Sequence, residues 1–311
     1  MNAIRVEAPG FLTSVQDLGR PGHAAAGVSA SGAADPLALR IGNRLVGNLE
    51  GAAALEMTMV GGSFRFEADG VFALAGADTG ARIDDRAVAS WRPYPFRGGE
   101  TLVCTALRRR ARAYLCVRCG ILVPPVFGSA STHLLTGMGG YEGRALHAGD
   151  RLVVGAAGSR APIDRPVDPS AIPGYRRGEP FRATVGPQAS WFAPEARAAL
   201  FGTEWPVSEA CDRMGIRLAG PRIQALSARE LLTEGVPLGA VQIPPGGLPI
   251  VLFVEHQTTG GYPKIANVIA ADLARLGGLR PRETLRFEVT SIPAAHALLH
   301  AQEEALDALF R

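Results

Sequence analysis

Lysine is nearly absent from this chain. Of its 32 basic residues only Lys264 is a lysine, in the stretch EHQTTGGYPKIANVIAADL (255–273). Cysteine is scarce too: four residues are too few for a disulfide framework in 311. Cys116 and Cys119 form a CxxC, but AYLCVRCGIL reads as a strand, on which positions three apart point to opposite faces. Buried thiols are expected there. With six dispersed histidines, no metal site is expected. No apolar run reaches the ~20 residues a membrane span needs. MNAIRVEAPG carries no apolar signal segment, so a cytoplasmic protein with no membrane partner is expected. Net charge is only +3. The one basic run, RRRAR (108–112), reads as a solvated strand end, so no nucleic-acid partner is expected. GxxxxGK[ST], GxSxG, HExxH and a glycine fingerprint after a strand are all missing. P-loop, serine-hydrolase, zincin and dinucleotide readings drop out.

What is present is 47% hydrophobic and 20% charged, ordinary for a globular protein with real cores, and long enough for two domains. The chain also repeats itself. SGAADPLALRI (31–41) resembles SEACDRMGIRL (208–218), with Ser31, Ala33, Asp35 and Arg40 matched to Ser208, Ala210, Asp212 and Arg217 at a common offset of 177. IRVEAPG (4–10) falls on FRATVGP (181–187) at that offset, and GETLVC (99–104) resembles RETLRF (282–287). A common order points to duplication. Residues 156–180 hold five prolines and no periodicity, so they read as a linker. The expected domains are 1–158 and 179–311, joined by a proline-rich linker over 159–178.

Short β-rich runs at 71–77, 101–107, 113–123, 151–156, 249–255 and 284–292 read as strands. A helix is expected after Asp35 as N-cap and Pro36 as first residue. A second is expected over SARELLTEG (227–235), where Ser227 and Glu230 have capping-box spacing. IANVIAADLARL, after Lys264, has helical period, and the tail from Pro293 is amphipathic. Its His296 and His300, four apart, read as a solvent face. The fold class expected is mainly β with a few helices, as two β-barrel-like domains.

TSVQDLGRPGHAAAGVSASGAADP (13–36) is dense in polar and glycine residues. Gln16, Asp17 and Arg20 fall on its turn-rich part. Asp17 and Arg20 either stitch a loop as an ion pair or act as a base beside an anion clamp. Asp212 and Arg213 repeat the theme, and Gln242 precedes a double-proline bend. In QTTGGYPK, Gln257, Thr258 and Thr259 offer hydrogen-bonding side chains, and Gly260 and Gly261 offer exposed N–H groups that can form an anion nest. Tyr262 completes the expected binding set on the Gly-Gly-Tyr-Pro turn. Lys264 would then stand near a helix N-terminus, against the macrodipole, where a residue placed against local preference points to function. Where drift exchanges lysine for arginine, the lysine that stays marks a position a wide guanidinium fork does not fill. A compact donor for a developing oxyanion fits that position.

Taken together, TSVQDLGRPG, SGAADPLALRIGNRLVGN, FGSASTHLLTGMGGYEGRAL, CDRMGIRL, EGVPLGAVQIPP and QTTGGYPKIANVIAADL resemble one family. It is that of the C subunit of the ATP-dependent 5-oxoprolinase, also called allophanate hydrolase subunit 2 or the biotin-dependent carboxyltransferase family. The family is similar to half of the carboxyltransferase domain of urea carboxylase and to a bacterial antagonist of a sporulation-kinase inhibitor. The resemblance implies two cyclophilin-like β-barrels. The partners it implies are the B subunit, itself cyclophilin-like, and the A subunit. It further implies a small lactam or amide as substrate, and ATP with Mg2+ as cofactor in the assembled complex. Lys264, Asp17 and Asp212 are the expected catalytic residues. Gln16, Arg20, Arg213, Gln242, Gln257, Thr258, Thr259, Gly260, Gly261 and Tyr262 are the expected substrate-binding ones. Two other readings share the scaffold: biotin-dependent carboxyl transfer to urea or a related amide, and regulation by binding a B-subunit homologue. No Met-Lys-Met biotinylation context is present, so biotin is not expected to be attached to this chain. The family typically has arginine where this chain has Ala130 and His256.

Overall fold

The computed structural model describes residues 2–156, 160–172, 175–226 and 231–311. The chain divides into two compact units, Met1–Gly22 with Ala30–Asp168 and His23–Ser29 with Pro169–Arg311. The later division falls inside the expected linker, of which residues 159, 173 and 174 lie outside the described residues. The described part is not a loose tether. In the first unit Ile163 N–H donates to Leu45 O and Val167 N–H to Trp91 O, and in the second Ile172 and Tyr175 are buried.

The first unit is built from two antiparallel sheets. Seven strands run in the order Ile121–Leu122, Arg151–Val154, Ala3–Ala8, Ser63–Phe66, Thr101–Val103, Arg82–Ile83, Arg86–Ala87. Five run Leu12–Gln16, Ala54–Thr58, Arg108–Val117, Gly70–Asp78, Pro93–Phe96. Period-2 alternation decides which side chains meet. Ile4 and Val6 point inward while Arg5 and Glu7 stay exposed. Ile4, Phe64, Phe66 and Leu152 of one sheet share a core with Leu55, Met57, Phe72 and Leu115 of the other, and Phe66 stacks on Phe72 at 5.7 Å.

The five-stranded sheet is covered on its second face by the Pro36–Leu45 helix. That helix starts as expected: Asp35 Oδ1 accepts the Ala38 N–H at 3.1 Å, with Pro36 in the first turn. A side chain at Gly42 would lie 2.6 Å from Cys116 Sγ, so the missing Cβ allows the close approach of helix and sheet. Covered on both faces, Ala113–Val117 is buried without a break. Cys116 faces the helix. Cys119 lies beyond the strand, in a turn at φ +77°. The expected single strand over 113–123 is thus two, ending at Val117 and resuming at Ile121. All four thiols are free, and burial pushes Cys104 up to about 12.

RRRAR is only half solvated. Arg108 and Arg109 are exposed, but Arg110 bonds buried Asp35 at 2.8 Å and Arg112 lies 3.6 Å from buried Glu56. Tyr114 Oη donates to Glu56 at 2.6 Å and accepts the Asp35 N–H at 2.8 Å. Burial, then the Glu56 charge, pushes the Tyr114 phenol well above its ordinary range.

The second unit centres on a six-stranded sheet in the order Gly215–Arg217, Ile250–Leu252, Ala240–Gln242, Lys264–Val268, Phe181–Val185, Phe287–Val289, its last pair parallel. Two small ladders join Trp205–Pro206 to Thr284–Leu285 and Glu234–Gly235 to Thr259–Gly260. Buried Asp272 accepts from the Arg182 N–H at 2.7 Å and from its guanidinium. The Ile292–Ala308 helix starts at Ser291 and leaves His296 and His300 exposed, as expected.

Three expectations need correction. The strand orders are open at both ends, so among the described residues the fold is mainly β but not closed barrels. Ser227–Glu230 lies outside the described residues, and Glu234–Gly235, expected as a helix end, is a strand. The helical period after Lys264 yields a strand, Lys264–Val268, before the Ala270–Leu276 helix, because its β-branched and apolar residues are buried within a sheet. A helix at Pro194–Gly202 had not been expected.

Replacing Asp35 by Ala removes a helix cap and strands the half-buried Arg110. Denaturant unfolding should show a loss of about 2–4 kcal/mol.

Candidate functional site

In the first unit Gln16, Asp17 and Arg20 do come together, on the segment 126–133. Asp17 is 8% exposed. Its Oδ1 accepts from Gly19 N–H at 2.7 Å, Ser129 Oγ at 2.6 Å and Ser131 Oγ at 2.5 Å, and its Oδ2 from Ala130 N–H at 2.6 Å. Arg20 turns elsewhere, donating to the carbonyls of Val126 at 3.2 Å and Ser131. Gln16 is fully buried; its Nε2 donates to Ser14 Oγ and Thr132 O, both at 3.0 Å, while Oε1 has no partner. The segment must pass very close: a Cβ at Gly139, at φ +69°, would overlap Ser131 O. A carboxylate with four donors is held as an acceptor, so this geometry favours loop stitching over proton abstraction.

The Lys264 group lies in the second unit. Across most of the pair, Val241 faces Ala266 and Ala240 faces Asn267, but Gln242 faces Lys264. One residue, Ile265, is therefore extra, a β-bulge of the kind that re-aims side chains. Opposed residues share a face, so the bulge sets Lys264 and Asn267 on the face that carries Gln242. A cleft of about 290 Å³ is lined by Lys264, Glu234, Asn267, Thr184, Gly186 and Pro187 among others. Lys264 is 3% exposed. Its ammonium donates to Glu234 Oε1, which also accepts from Gln188 Nε2 at 2.8 Å. Gln188 Oε1 accepts the Lys264 N–H at 3.1 Å, and Gln188 N–H donates to Lys264 O at 3.2 Å. Hydrogen bonds from Lys264 and then Gln188 hold the Glu234 carboxyl below the usual carboxylate range.

Lys264 is thus buried in a cleft, but not at a helix N-terminus, and the macrodipole argument does not apply to it. Gly260 and Gly261 do not form the expected nest: neither takes a left-handed backbone, and Gly260 pairs with Glu234 in a ladder. Gly260 has another use. A Cβ there would lie 3.1 Å from Gln242 Nε2 and 3.3 Å from Gln257 Nε2. Gln242 is 2% exposed and its Nε2 has no partner. Thr258 is half-buried; Thr259 and Tyr262 are exposed.

Asp212 is exposed and caps a turn, accepting from Met214 N–H at 2.8 Å and Gly215 N–H at 3.0 Å. Arg213 is buried and ion-paired with buried Glu255. His256 Nδ1 bonds Gln257 O at 2.6 Å, and burial holds its imidazole below its ordinary range, so the position carries no fixed charge. Ala130, at the other arginine position of the resemblance, packs against the first unit's core. Glu234, Gln188, Glu255 and Asn267 had not been expected. Glu255 adjoins the QTTGGYPK motif, Asn267 lies just beyond it and Glu234 opens EGVPLGAVQIPP, so each had a local signal; Gln188 had none. Among the described residues no group of three His, Cys, Asp or Glu could hold a metal ion, and no helix is long and apolar enough to cross a membrane.

Comparison with known proteins defines the class. The model of the carboxyltransferase domain, subdomain A and B, matches residues 26–289, and the chain belongs to that family. It is 41% identical over 293 residues to the C subunit of 5-oxoprolinase from Escherichia coli, covering 94% of this chain and 93% of that protein. The Haemophilus influenzae protein of the same name is 36% identical over 298 residues, covering 96% and 94%. The crystal structure of Kluyveromyces lactis urea amidolyase superimposes with a TM-score of 0.92 at 31% identity, over 99% of this chain and 20% of that one. The chain thus spans about a fifth of that larger protein.

Two outcomes follow for stability. Arg213→Met leaves Glu255 buried without its counter-charge and should cost about 3–5 kcal/mol in denaturant unfolding. Glu234 has a depressed folded-state pKa, so the stabilisation it gives is full above the unfolded carboxylate value and lost as pH falls through the folded one. The gap in melting temperature between wild type and Glu234→Gln should therefore narrow as pH falls below the ordinary carboxylate range.

Proposed function

We propose that this chain is one subunit of a heteromeric, ATP-dependent 5-oxoprolinase-type amidohydrolase. Its Lys264 cleft stabilises negative charge developing on a small lactam or amide, with 5-oxoproline the first candidate. The observation that carries the reading is the buried ammonium of Lys264 lining a cleft. An ammonium has three donors, and Glu234 engages one, which leaves donors for a ligand oxygen. A fixed, largely buried charge lining a cleft stabilises a developing oxyanion without reorganising. Gln257, Thr258, Thr259 and Tyr262, in the segment leading to Lys264, orient the amide. The 41% identity to a 5-oxoprolinase C subunit over nearly the whole of both chains supports the substrate class.

Asp17 and Asp212 are satisfied by loop and turn N–H and hydroxyl groups, so this reading gives them no proton transfer. A magnesium nucleotide does not fit the donor set of this cleft. Among the described residues no acidic cluster is present, and Glu234, which lines the cleft, is already bonded to Lys264 and Gln188. The reading therefore gives nucleotide and metal to the B and A partners, and routes no step through them here.

The family description favours a second reading, carboxyl transfer to an amide with a separate biotinyl carrier. One reconstitution separates the two. Purified with its B and A partners, the chain should support 5-oxoproline-dependent ADP release, and Lys264→Met should lower that release by at least about a hundredfold. Full activity in a folded Lys264→Met complex overturns the role of the cleft. Biotin-dependent bicarbonate incorporation without oxoproline turnover selects the second reading.

A further inference from the structure

Glu234 and Gln188 have no part in the mechanism above, yet they account for why residue 264 is lysine. We infer that they are positioning residues that clamp the Lys264 ammonium in one direction inside the cleft; the catalytic use of that ammonium rests on the function proposed above.

A buried ammonium loses its hydration and must find acceptors. Its four-carbon stem is flexible, so burial alone does not aim it. Gln188 grips the Lys264 backbone from both sides, donating its own N–H to Lys264 O and accepting the Lys264 N–H. The remaining end of the same carboxamide donates to Glu234. This pattern admits one amide orientation, since only the nitrogen can donate to a carboxylate and only the oxygen can accept from an N–H. Glu234 is tethered independently. Its backbone pairs with Gly260, and a short turn beyond Gly260 the chain enters the Lys264 strand. The clamp is therefore a closed ring: Lys264 to Glu234, Glu234 to Gly260, Gly260 back along the chain to Lys264, with Gln188 across it.

The ring also discriminates against arginine. Lys264 and Gln188 both reach one oxygen, Oε1 of Glu234. A point charge suits a single shared oxygen, whereas a guanidinium fork seeks both oxygens of a carboxylate in parallel. Of the described residues lining the cleft, Thr184 and Asn267 are uncharged and Glu234 is the titratable one besides Lys264 itself.

The single lysine makes this testable in the isolated full-length chain. Labelled with 15N-lysine, the protein carries one side-chain ammonium signal. In wild type it should be protected from exchange with water. In Glu234→Ala and Gln188→Ala, exchange should accelerate by about ten- to a hundredfold, the range expected for losing a hydrogen bond to a charged group. Glu234→Gln, which keeps an acceptor oxygen and the side-chain shape, should fall between and serves if the alanine variants do not fold. Unchanged exchange in the folded variants overturns the clamp. The assembled complex separates the two claims. Faster exchange with wild-type oxoproline turnover leaves the clamp standing and removes the catalytic reading of Lys264. Loss of turnover in Lys264→Met with unchanged exchange in the clamp variants does the reverse. If both hold, kcat should fall in the clamp variants more than KM rises.

Discussion

A charge taken out of water must be met by an opposite charge or by well-placed dipoles, and the candidate cleft of the second unit is built on one such charge. The Lys264 ammonium is 3% exposed. The bulge at Ile265, the ladder that fixes Glu234 and the three bonds of Gln188 all serve to meet it. Removing the charge leaves these features without a purpose; removing its acceptor leaves a desolvated cation, which is the costlier failure.

The rest of the chain meets the same demand with arginine. Arg182 bonds Asp272 through Nε and a terminal nitrogen, and Arg144 reaches both oxygens of Asp150 at 2.7 and 3.0 Å. These are fork-to-fork contacts, for which a planar guanidinium is made. Glu234 receives Lys264 through one oxygen. Exposed Arg86 also reaches Glu100 through one oxygen; at Lys264 the one-point contact is made by a buried cation.

Local rules carried far into this fold. The Asp35–Pro36 start, the tail helix and the strands within the six β-rich runs were legible because caps and periodicity are properties of neighbouring residues; the other strands, among them Ala3–Ala8 and Ala54–Thr58, were not read. The duplicated stretches show where such rules stop. Phe181–Val185 is a strand like its counterpart Ala3–Ala8. SGAADPLALRI, by contrast, gives a buried helix and SEACDRMGIRL a turn and a short strand, although Asp35 and Asp212 both accept N–H groups just ahead of them. At Lys264 the helical period was real but was overridden, since Lys264–Val268 lies between two partner strands that take up its backbone groups in ladders. QTTGGYPK stood out as a candidate by its composition. Glu234 and Gln188 did not, because they reach Lys264 from 30 and 76 residues away: Glu234 opens the EGVPLGAVQIPP stretch, but nothing there ties it to Lys264, and nothing around Gln188 marks it.

The seven residues His23–Ser29 belong with the second unit although the chain around them belongs to the first. Ser29 Oγ donates to Val254 O at 3.3 Å, beside Glu255. A ribosome therefore delivers one piece of the later unit long before the remainder, and that piece must stay available while the earlier sheets close around its two ends. Cleavage at the proline-rich segment would not yield two self-sufficient halves: the carboxy-terminal fragment would leave part of itself behind in the amino-terminal one.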